Sequence, residues 1–540
     1  MLDTVIVGGG LCGLALASSL HGQGREFALY EARNRLGGRI LSVPGASGMA
    51  LDLGPAWFWP DTQPRMARLV EELGLASFPQ HDSGAVLSLA DHDKKPETLA
   101  TDSVHGGARR LEGGMASLVR ALAERLPGDA LHPEHVLGAV RDRGDHVELH
   151  FAHGEVTVIV RARHVVLALP PRLLAERVRF EPALDEPTRE AMRATPTWMA
   201  DQAKVLVAYD RAFWREAGQS GNAFVSHEHV ALGEIFDACN ADGDQAALGG
   251  FFALPPPFRA AIDSGSVAML VSSQLVQVFG QDAEGGEQHV QDWAAEPYTC
   301  ASLDLTPPGG HPEYGNPGLR RRLWNDKLHF GGSETAGYGG GYLEGALDAA
   351  ARLLRTLVSG HSPVIQAASP NPAAGVSPDD PCLAHFSDWV AAQRASAFGR
   401  YRSQLNHDLA AQQREQLTQR ALLGAVEQVY SAALDQLDGL PFDAADVAIR
   451  NGRSDLTPRV LAPFDGFNKA LLDEAVAFNR TSCALSNFTY EHEPDSAYVD
   501  TILRDLAAAW REFALGVNAV LVARTQASAR TADAVGAVAA

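Results

Sequence analysis

Three glycines with the spacing G-x-G-x-x-G, Gly8, Gly10 and Gly13, directly follow the apolar, β-branched residues 4–7. In such a turn the first glycine allows a tight bend, the second lets a pyrophosphate approach the backbone, and the third lets the next helix pack closely. Glu31 ends a second predicted strand, at about the distance at which an acidic side chain meets a ribose hydroxyl pair. This spacing predicts a site for a dinucleotide with an unphosphorylated adenosine ribose, with a merely structural turn as the alternative.

A second glycine pair lies in the segment RNRLGGR, residues 33–39. Gly38 would bring the backbone near a cofactor, and the guanidinium of Arg39 could pair with phosphate oxygens. A solvated basic loop is the alternative. Further along, LDLGPAWFWP, residues 51–60, contains a Gly54-Pro55 turn with three consecutive aromatic residues, which suits a loop beside a flat ring system.

Two later segments also carry chemistry. Residues 329–358 repeat the order of strand, glycine-rich turn and helix, and the helix predicted to start near Tyr342 would direct its positive dipole end at a bound group. Lys204 lies in an apolar predicted strand, where an ammonium is costly unless it is paired or desolvated. A lysine at a strand edge is the alternative for that position.

Composition limits the class of protein. The chain has 540 residues, of which 46% are hydrophobic and 21% charged, as in soluble globular proteins. Its net charge of −21 disfavours a surface for nucleic-acid phosphates. Few cysteines, no visible signal peptide and no apolar run of transmembrane length predict a cytoplasmic protein that contacts no membrane. The histidines show no metal-ligand spacing, so no metal site is predicted. The protein could form a homodimer.

Four elements in this order, the opening fingerprint, RLGGR, the lysine segment and GGSETAGYGGGYLEGA, make residues 1–358 resemble the flavin-containing amine oxidase superfamily, in the group with monoamine and polyamine oxidases. The resemblance implies bound FAD. It also implies an α/β fold in which a Rossmann-like FAD-binding domain is interleaved with an α+β substrate domain. The region after residue 381 is not covered, and its helical periodicity predicts a C-terminal α-helical bundle.

The resemblance also implies roles for individual residues. The cofactor contacts that it implies are Gly8, Gly10, Gly13, Glu31, Arg33, Gly38, Arg39, Gly54, Pro55, Val136, Gly332, Glu334, Thr335 and Leu343. The residues that it places around the reacting atoms are Lys204, Tyr342, Trp293 and Tyr298. Among these, Lys204 would hold a water against flavin N5 and assist the reaction of reduced flavin with oxygen.

The chain departs from the family pattern in two places. The family's flavin-bonding cysteine and an adjacent aromatic residue are replaced by Ser302 and Leu303, which predicts FAD that is not covalently attached. Cys300 is a poor substitute, and Leu303 is expected to replace one wall of the aromatic cage whose other wall is Tyr342. The stretch between residues 60 and 113 is short, so the helical region is expected to roof the substrate cavity or, alternatively, to bind a partner.

The predicted domains are an FAD-binding domain of residues 1–60, 113–170 and 320–358, a substrate domain of residues 61–112 and 171–319, a linker at 359–381, a helical domain at 382–524 and a disordered tail at 525–540. The predicted reaction is oxidation of an amine by hydride transfer to flavin N5, with O₂ as acceptor and H₂O₂ as product. The alternatives are an amino-acid oxidase, for which Arg172 or Arg259 could anchor a carboxylate, a desaturase, and a flavin-bearing interaction protein.

Overall fold

A computed structural model describes residues 1–538, except 100–102, 307–311, 313, 360–380, 411–415, 441–446, 451, 481–484, 486–488 and 493. The chain divides into two compact units, Met1–Ala351 and Arg352–Ala540. The predicted linker lies almost entirely outside the described residues.

The strands of the described residues are β1 (Leu2–Val7), β2 (Phe27–Tyr30), β3 (Ser42–Pro44), β4 (Ala50–Asp52), β5 (Ser77–Pro79), β6 (Ala85–Leu89), β7 (Glu97–Leu99), β8 (Arg109–Leu111), β9 (Leu131–His132), β10 (Val136–Asp142), β11 (Val147–His153), β12 (Val156–Leu167), β13 (Arg179–Glu181), β14 (Ala203–Tyr209), β15 (Gln219–Val225), β16 (Leu232–Asp237), β17 (Ala246–Phe252), β18 (Glu287–Asp292), β19 (Leu328–Phe330), β20 (Ile449–Arg450) and β21 (Arg453–Ser454). The α-helices are α1 (Leu11–Gly22), α2 (Pro64–Glu72), α3 (Ala116–Glu124), α4 (Pro171–Arg177), α5 (Glu186–Ala194), α6 (Phe213–Glu216), α7 (Pro256–Ala261), α8 (Ser264–Phe279), α9 (Leu343–Ser359), α10 (Pro381–Ala410), α11 (Leu417–Gly439), α12 (Thr457–Leu461), α13 (Phe467–Asn479), α14 (Thr489–His492) and α15 (Ser496–Val538).

The first sheet brings three strand ends together. Its order is β13-β10-β11-β12-β1-β2-β9, and β19 pairs with the C-terminal half of β12. Strands β1, β12 and β19 run parallel, and Val7, Leu167 and Phe330 are register partners across them. Because the carboxyl ends of parallel strands meet at one edge of a sheet, the glycine turns after β1 and β19 emerge side by side.

The long strand β12 belongs to both the antiparallel and the parallel part of this sheet. Its first residues pair antiparallel with β11 and alternate in exposure, whereas its last residues, between β1 and β19, are continuously buried. A strand buried on both faces in a parallel sheet needs such an apolar run, and the sequence VVL at its end supplies it.

The second sheet, β18-β14-β17-β16-β15-β6-β7, supports a row of side chains across its width. Gln291, Lys204, Phe251, Glu234 and Phe224 are register partners on five adjacent strands. Register partners lie on the same face of a sheet. Residues on the opposite face, among them those at positions 205, 235 and 248, pack against α8 in an apolar core. The row is therefore held by a rigid, covered sheet.

The second unit is helical, as predicted, with a core formed by α10, α11, α13 and α15. A polar network lies inside this core. Tyr401 donates to Asn479 at 2.5 Å, Asn479 donates to Thr418 at 2.6 Å, and Glu491 accepts from the backbone N–H groups of Leu417 and Thr418. The carboxylate of Glu491 thus caps the start of α11 from another segment of the unit.

Helix α15 differs from two predictions. The tail expected to be disordered from residue 525 continues as helix to Val538, in keeping with its alanine-rich sequence and the high helix propensity of alanine. By length and composition, residues Tyr498–Thr525 could also cross a membrane, with a mean hydropathy of 1.4. Within the helical unit 28% of this apolar window is buried, and Phe513, Val517 and Leu521 are among the buried residues.

The predicted fold class, an α/β first part followed by a helical bundle, is confirmed. The strands of the first sheet fall within the segments assigned to the FAD-binding domain, except β13, and those of the second sheet fall within the substrate segments. The domain boundaries themselves stay a prediction.

Candidate active site

A cavity of about 560 Å³ lies where the two glycine turns and the second sheet meet within the first unit. Most of the residues predicted to contact a cofactor or the reacting atoms line it: Gly8, Gly10, Glu31, Arg33, Gly38, Arg39, Gly54, Pro55, Val136, Lys204, Trp293, Tyr298, Gly332, Tyr342 and Leu343. Three predicted residues, Gly13, Glu334 and Thr335, do not line the cavity.

The first turn has the geometry that its glycines predict. Gly8 adopts a φ of +108°, and a Cβ atom there would lie 2.4 Å from the carbonyl oxygen of Ala168. A Cβ atom on Gly13 would lie 2.0 Å from the carbonyl oxygen of Gly8, so Gly13 packs α1 against the turn and does not face the cavity. At Gly10 a Cβ atom would meet only Gly38, at 4.0 Å, which leaves the cavity side open to a bound group.

Glu31 and Arg33 form the next part of the wall. The buried carboxylate of Glu31 accepts hydrogen bonds from the backbone N–H groups of Gly9, at 2.7 Å, and Arg33, at 2.9 Å. The guanidinium of Arg33 donates to Glu296 at 2.7 Å and to Thr299 at 2.8 Å, and lies over the ring of Tyr298. Arg33 therefore ties the second strand to the segment that contains Tyr298.

Arg39 binds protein groups as well as facing the cavity. It forms an ion pair with Glu334 at 2.7 Å and donates to Ser333 and to the carbonyl oxygen of Trp198, each at 3.0 Å. Glu334 is buried by this pairing, and Thr335 donates to the carbonyl oxygen of Gly332 at 2.9 Å. The side chains of Glu334 and Thr335 therefore make hydrogen bonds inside the protein, and the cofactor contacts expected of these two residues stay a prediction.

The two glycine turns touch each other. The backbone N–H of Gly332, in the second turn, donates to the sulfur of Cys12, in the first turn of α1, at 3.2 Å. Helix α9 begins at Leu343, just after the second turn, and Leu343 lines the cavity. Since the first N–H groups of a helix have no partner within it, the starts of α1 and α9 both offer donors and positive dipole ends to this cavity.

Lys204 is the cationic side chain at the base of the cavity. It is 2% exposed, and its Nζ donates to the carbonyl oxygen of Gly54 at 2.9 Å. The rings of Trp57, Phe236 and Phe251 surround the Nζ atom at 5.1 to 5.6 Å. Burial lowers the pKa of Lys204 to about 7, so the amine is largely neutral above that pH.

Two further aromatic side chains, Tyr342 and Trp198, belong to the cavity wall. The ring centroids of Tyr342 and Trp198 are 6.2 Å apart with planes tilted by 58°, and both residues line the cavity. Leu303 is 54% exposed and does not line it, so the prediction that Leu303 forms the second wall is wrong. Leu303 belongs to a short helical turn whose carbonyl oxygen binds Arg172, and this turn directs its side chain outward.

Neither Cys300 nor the two candidate arginines lines the cavity. The buried Cys300 thiol donates to the carbonyl oxygen of Ala301, and burial raises its pKa to about 12. Arg172 pairs with Asp304 at 2.9 Å, and Arg259 pairs with Asp292 at 2.7 Å. These groups are used in the scaffold and are not available to a ligand in the cavity.

The cavity fits a flavin dinucleotide on three observations of its own. Gly10 leaves open space beside the backbone, the acid Glu31 faces the same space, and the starts of two helices converge on it. The same cavity is lined by Glu31 and Val136 and by Lys204 and Tyr342. An elongated molecule with phosphates in its middle matches this arrangement.

Comparison with known proteins agrees with this geometry. The family described as flavin containing amine oxidoreductase matches residues 11–100 and 82–354. The chain belongs to this family. Its members include the flavin-containing amine oxidase B of Sus scrofa, which is 24% identical over 456 residues, covering 66% of this chain and 86% of the relative. As the family implies, the protein is an amine oxidoreductase that uses a flavin.

Two solved structures have the same fold. A triple mutant of putrescine oxidase aligns with a TM-score of 0.56 and 21% identity, covering 66% of this chain and 99% of the other. The cyclohexylamine oxidase from Brevibacterium oxydans IH-35A aligns with a TM-score of 0.55 and 20% identity, covering 66% and 98%.

Several lining residues of this amine oxidoreductase were missed in the sequence. Trp198 follows a Thr-Pro-Thr segment just before the lysine strand, and an aromatic residue at that place could have been noticed. His105 and Glu234 also line the cavity, but they come from separate segments of unremarkable local sequence. No local signal marks these two, since Glu234 reaches the cavity through the pairing of β16 with its neighbours and His105 through the packing of the segment between β7 and β8.

Proposed function

We propose that this protein oxidises an amine at the carbon beside nitrogen, with O₂ as the final acceptor and an imine, then a carbonyl compound, as product. A flavin held by these residues would supply the hydride acceptor, at N5, and would pass the electrons to oxygen, giving H₂O₂. The observation that carries the proposal is the buried Lys204, with a pKa lowered to about 7 and aromatic rings around its Nζ, in a cavity that Tyr342 and Trp198 also line.

The protein's own residues act mainly by positioning and by electrostatics. The faces of Tyr342 and Trp198 attract and orient the amine. The N–H groups at the start of α9 favour negative charge on the cofactor edge that they meet. Lys204 holds a water and supplies positive charge where oxygen is reduced. No acid or base group is required for the hydride step, so catalysis rests on geometry.

We propose that the FAD is held without a covalent bond. The contacts would be those of Gly8, Gly10, Glu31, Arg33, Gly38, Arg39 and Leu343 on the cavity wall. Support comes from Cys300, whose thiol is buried away from the cavity and whose raised pKa keeps it protonated and unreactive.

The alternatives within the superfamily are less well supported. A carboxylate of an amino acid needs a cationic anchor, but Arg172 and Arg259 are both paired with aspartates outside the cavity. A desaturase acting on an apolar substrate has no use for a buried lysine that assists the reduction of oxygen. An alternative of another class is a flavin-bearing interaction protein. Its bound FAD would keep its absorbance in the presence of every amine.

We keep a cytoplasmic location, a homodimer and the absence of membrane contact as proposals. The helical unit as a roof over the substrate cavity is a further proposal. Removing the chain after residue 359 tests it, and amine turnover that survives this truncation contradicts it.

The main experiment mixes the purified yellow protein with a panel of amines without oxygen and follows the flavin absorbance. Bleaching by one or more amines, followed by recovery of colour and formation of H₂O₂ when air is admitted, is the expected result. A protein that binds FAD but is bleached by none of the amines contradicts the proposed function.

A further inference from the structure

Glu234 is an acidic side chain in a cavity whose walls near it are aromatic. It lies on β16, lines the cavity and is 37% exposed. Phe251 separates it from Lys204 in the row across the second sheet, and with neighbouring strands about 4.8 Å apart the two Cα atoms are roughly 10 Å apart. A carboxylate therefore lies at a fixed distance from the site proposed for the reaction.

Glu234 lies beside a buried histidine that is close to a second carboxylate. Its Oε1 is 3.4 Å from Nε2 of His105, a residue that is 7% exposed. The imidazole stacks on Trp57 at 4.5 Å, and its Nδ1 is 3.9 Å from a carboxylate oxygen of Asp82. Asp82 accepts from the backbone N–H of His105 and, at 2.8 Å, from Asn222. His105 thus lies between two carboxylates, within ion-pair distance of Glu234, and its own backbone is fixed by Asp82.

These three residues carry a net negative charge in either state of the imidazole. Two carboxylates outweigh one histidine even when the histidine is protonated. Lys204, the nearest cationic side chain in the row, is largely neutral above pH 7. Because a charge facing an apolar, partly desolvated cavity is costly unless it is paired, the site is complementary to a cation brought by the ligand.

We propose that Glu234, which lies beside His105, binds a second cationic nitrogen of the substrate, so that the site selects diamines over monoamines of equal chain length. This inference rests on the proposed amine oxidation. The reacting nitrogen lies near Lys204, the methylene chain crosses Phe251 and Trp57, and the distal ammonium pairs with Glu234. Trp57 and Trp59 supply further aromatic faces for the chain and the distal cation.

The test compares putrescine with n-butylamine and cadaverine with n-pentylamine on the FAD-loaded, full-length protein. The dissociation constant of each amine comes from the concentration dependence of flavin bleaching without oxygen. Calorimetry measures it for any amine that does not bleach the flavin, so amine binding is measured even if no amine is oxidised. We expect the diamine of each pair to bind about tenfold or more tightly, since one charge-assisted hydrogen bond contributes about 1.5 kcal/mol or more.

The variant Glu234→Gln keeps the shape of the side chain and removes its charge. It should lower the diamine-to-monoamine preference about tenfold, and the flavin spectrum reports whether the variant is folded. Glu228→Gln is the control, because Glu228 lies in the loop after β15 and is 85% exposed; its preference should equal that of the wild type. Equal binding of diamine and monoamine to the wild type, or an unchanged preference in Glu234→Gln, overturns the inference. Absence of bleaching by any amine refutes the proposed oxidation instead.

Discussion

Replacement of Lys204 by methionine is the sharpest test of how this site works. The wild-type lysine is 2% exposed, and burial lowers its pKa from 10.5 to about 7. A displacement of this size corresponds to about 5 kcal/mol in favour of the neutral amine over the ammonium. Lys204 therefore changes charge near neutral pH, whereas an exposed lysine would stay charged there.

The assay is the rate at which reduced flavin is reoxidised by air, measured from about pH 5.5 to about pH 9, a range that includes the lowered pKa. Below pH 7 the protonated Nζ places positive charge where oxygen gains negative charge, and above pH 7 this charge is lost. The wild-type rate should therefore fall as pH rises through about 7. In Lys204→Met the rate should be about 100-fold lower at pH 6 and should not titrate near 7.

Stability gives a second readout of the same group. The unfolded chain holds a proton on this lysine up to pH 10.5, whereas the folded protein releases it near 7. The free energy of unfolding of the wild type should therefore rise with pH across this interval, and Lys204→Met should lack that part of the rise.

The control is Lys327→Met. Lys327 is also buried and donates to a glycine carbonyl at 2.8 Å, but it is paired with Asp142 at 3.0 Å and does not line the cavity. The pH profile of reoxidation in this variant should match that of the wild type. A wild-type profile in Lys204→Met would refute the assignment of oxygen reduction to Lys204.

Three further predictions follow from the cavity walls. Gly13→Ala should abolish FAD binding because the new Cβ would lie 2.0 Å from the carbonyl oxygen of Gly8, whereas Gly22→Ala at the other end of α1 meets nothing within 4 Å and should keep the yellow colour; a yellow Gly13→Ala protein would contradict this. Trp198→Ala should lower kcat/KM for the best amine about tenfold, since it removes one of the two aromatic faces and about 1–2 kcal/mol of orientation; steady-state kinetics measure this, and the control variant Trp324→Ala, outside the cavity, should keep the wild-type kcat/KM. Acid precipitation should release all the flavin into the supernatant, and colour that stays with the pellet would show a covalent bond.

Much of this site could be predicted from short sequence patterns, because those patterns fix the local backbone conformation. The turn at Gly8 to Gly13 needs a positive φ and backbone contacts that only glycine allows, so the pattern and its function coincide within a few residues. The same holds for the second turn, which precedes α9. The apolar strand around Lys204 likewise indicated a desolvated amine before its surroundings were known.

The predictions that failed depended on contacts between distant segments. Leu303 was expected in the aromatic wall because of its place in a family pattern, but a turn directs it outward and Trp198 faces Tyr342 instead. Likewise, no pattern indicates that the buried Glu334 pairs with the guanidinium of Arg39, 295 residues earlier in the chain. Sequence patterns report local conformation and do not specify which partner satisfies a buried charge.

By itself, the sequence determined the family, the fold class and the two glycine turns, because these depend on short patterns whose backbone geometry few other residues can adopt. Only the tertiary structure decided what surrounds the substrate. The register of the second sheet aligned Lys204, Phe251 and Glu234, and the packing of a separate segment brought His105 to them. Strand register and loop packing are set by burial over the whole unit, so no stretch of sequence holds that information alone.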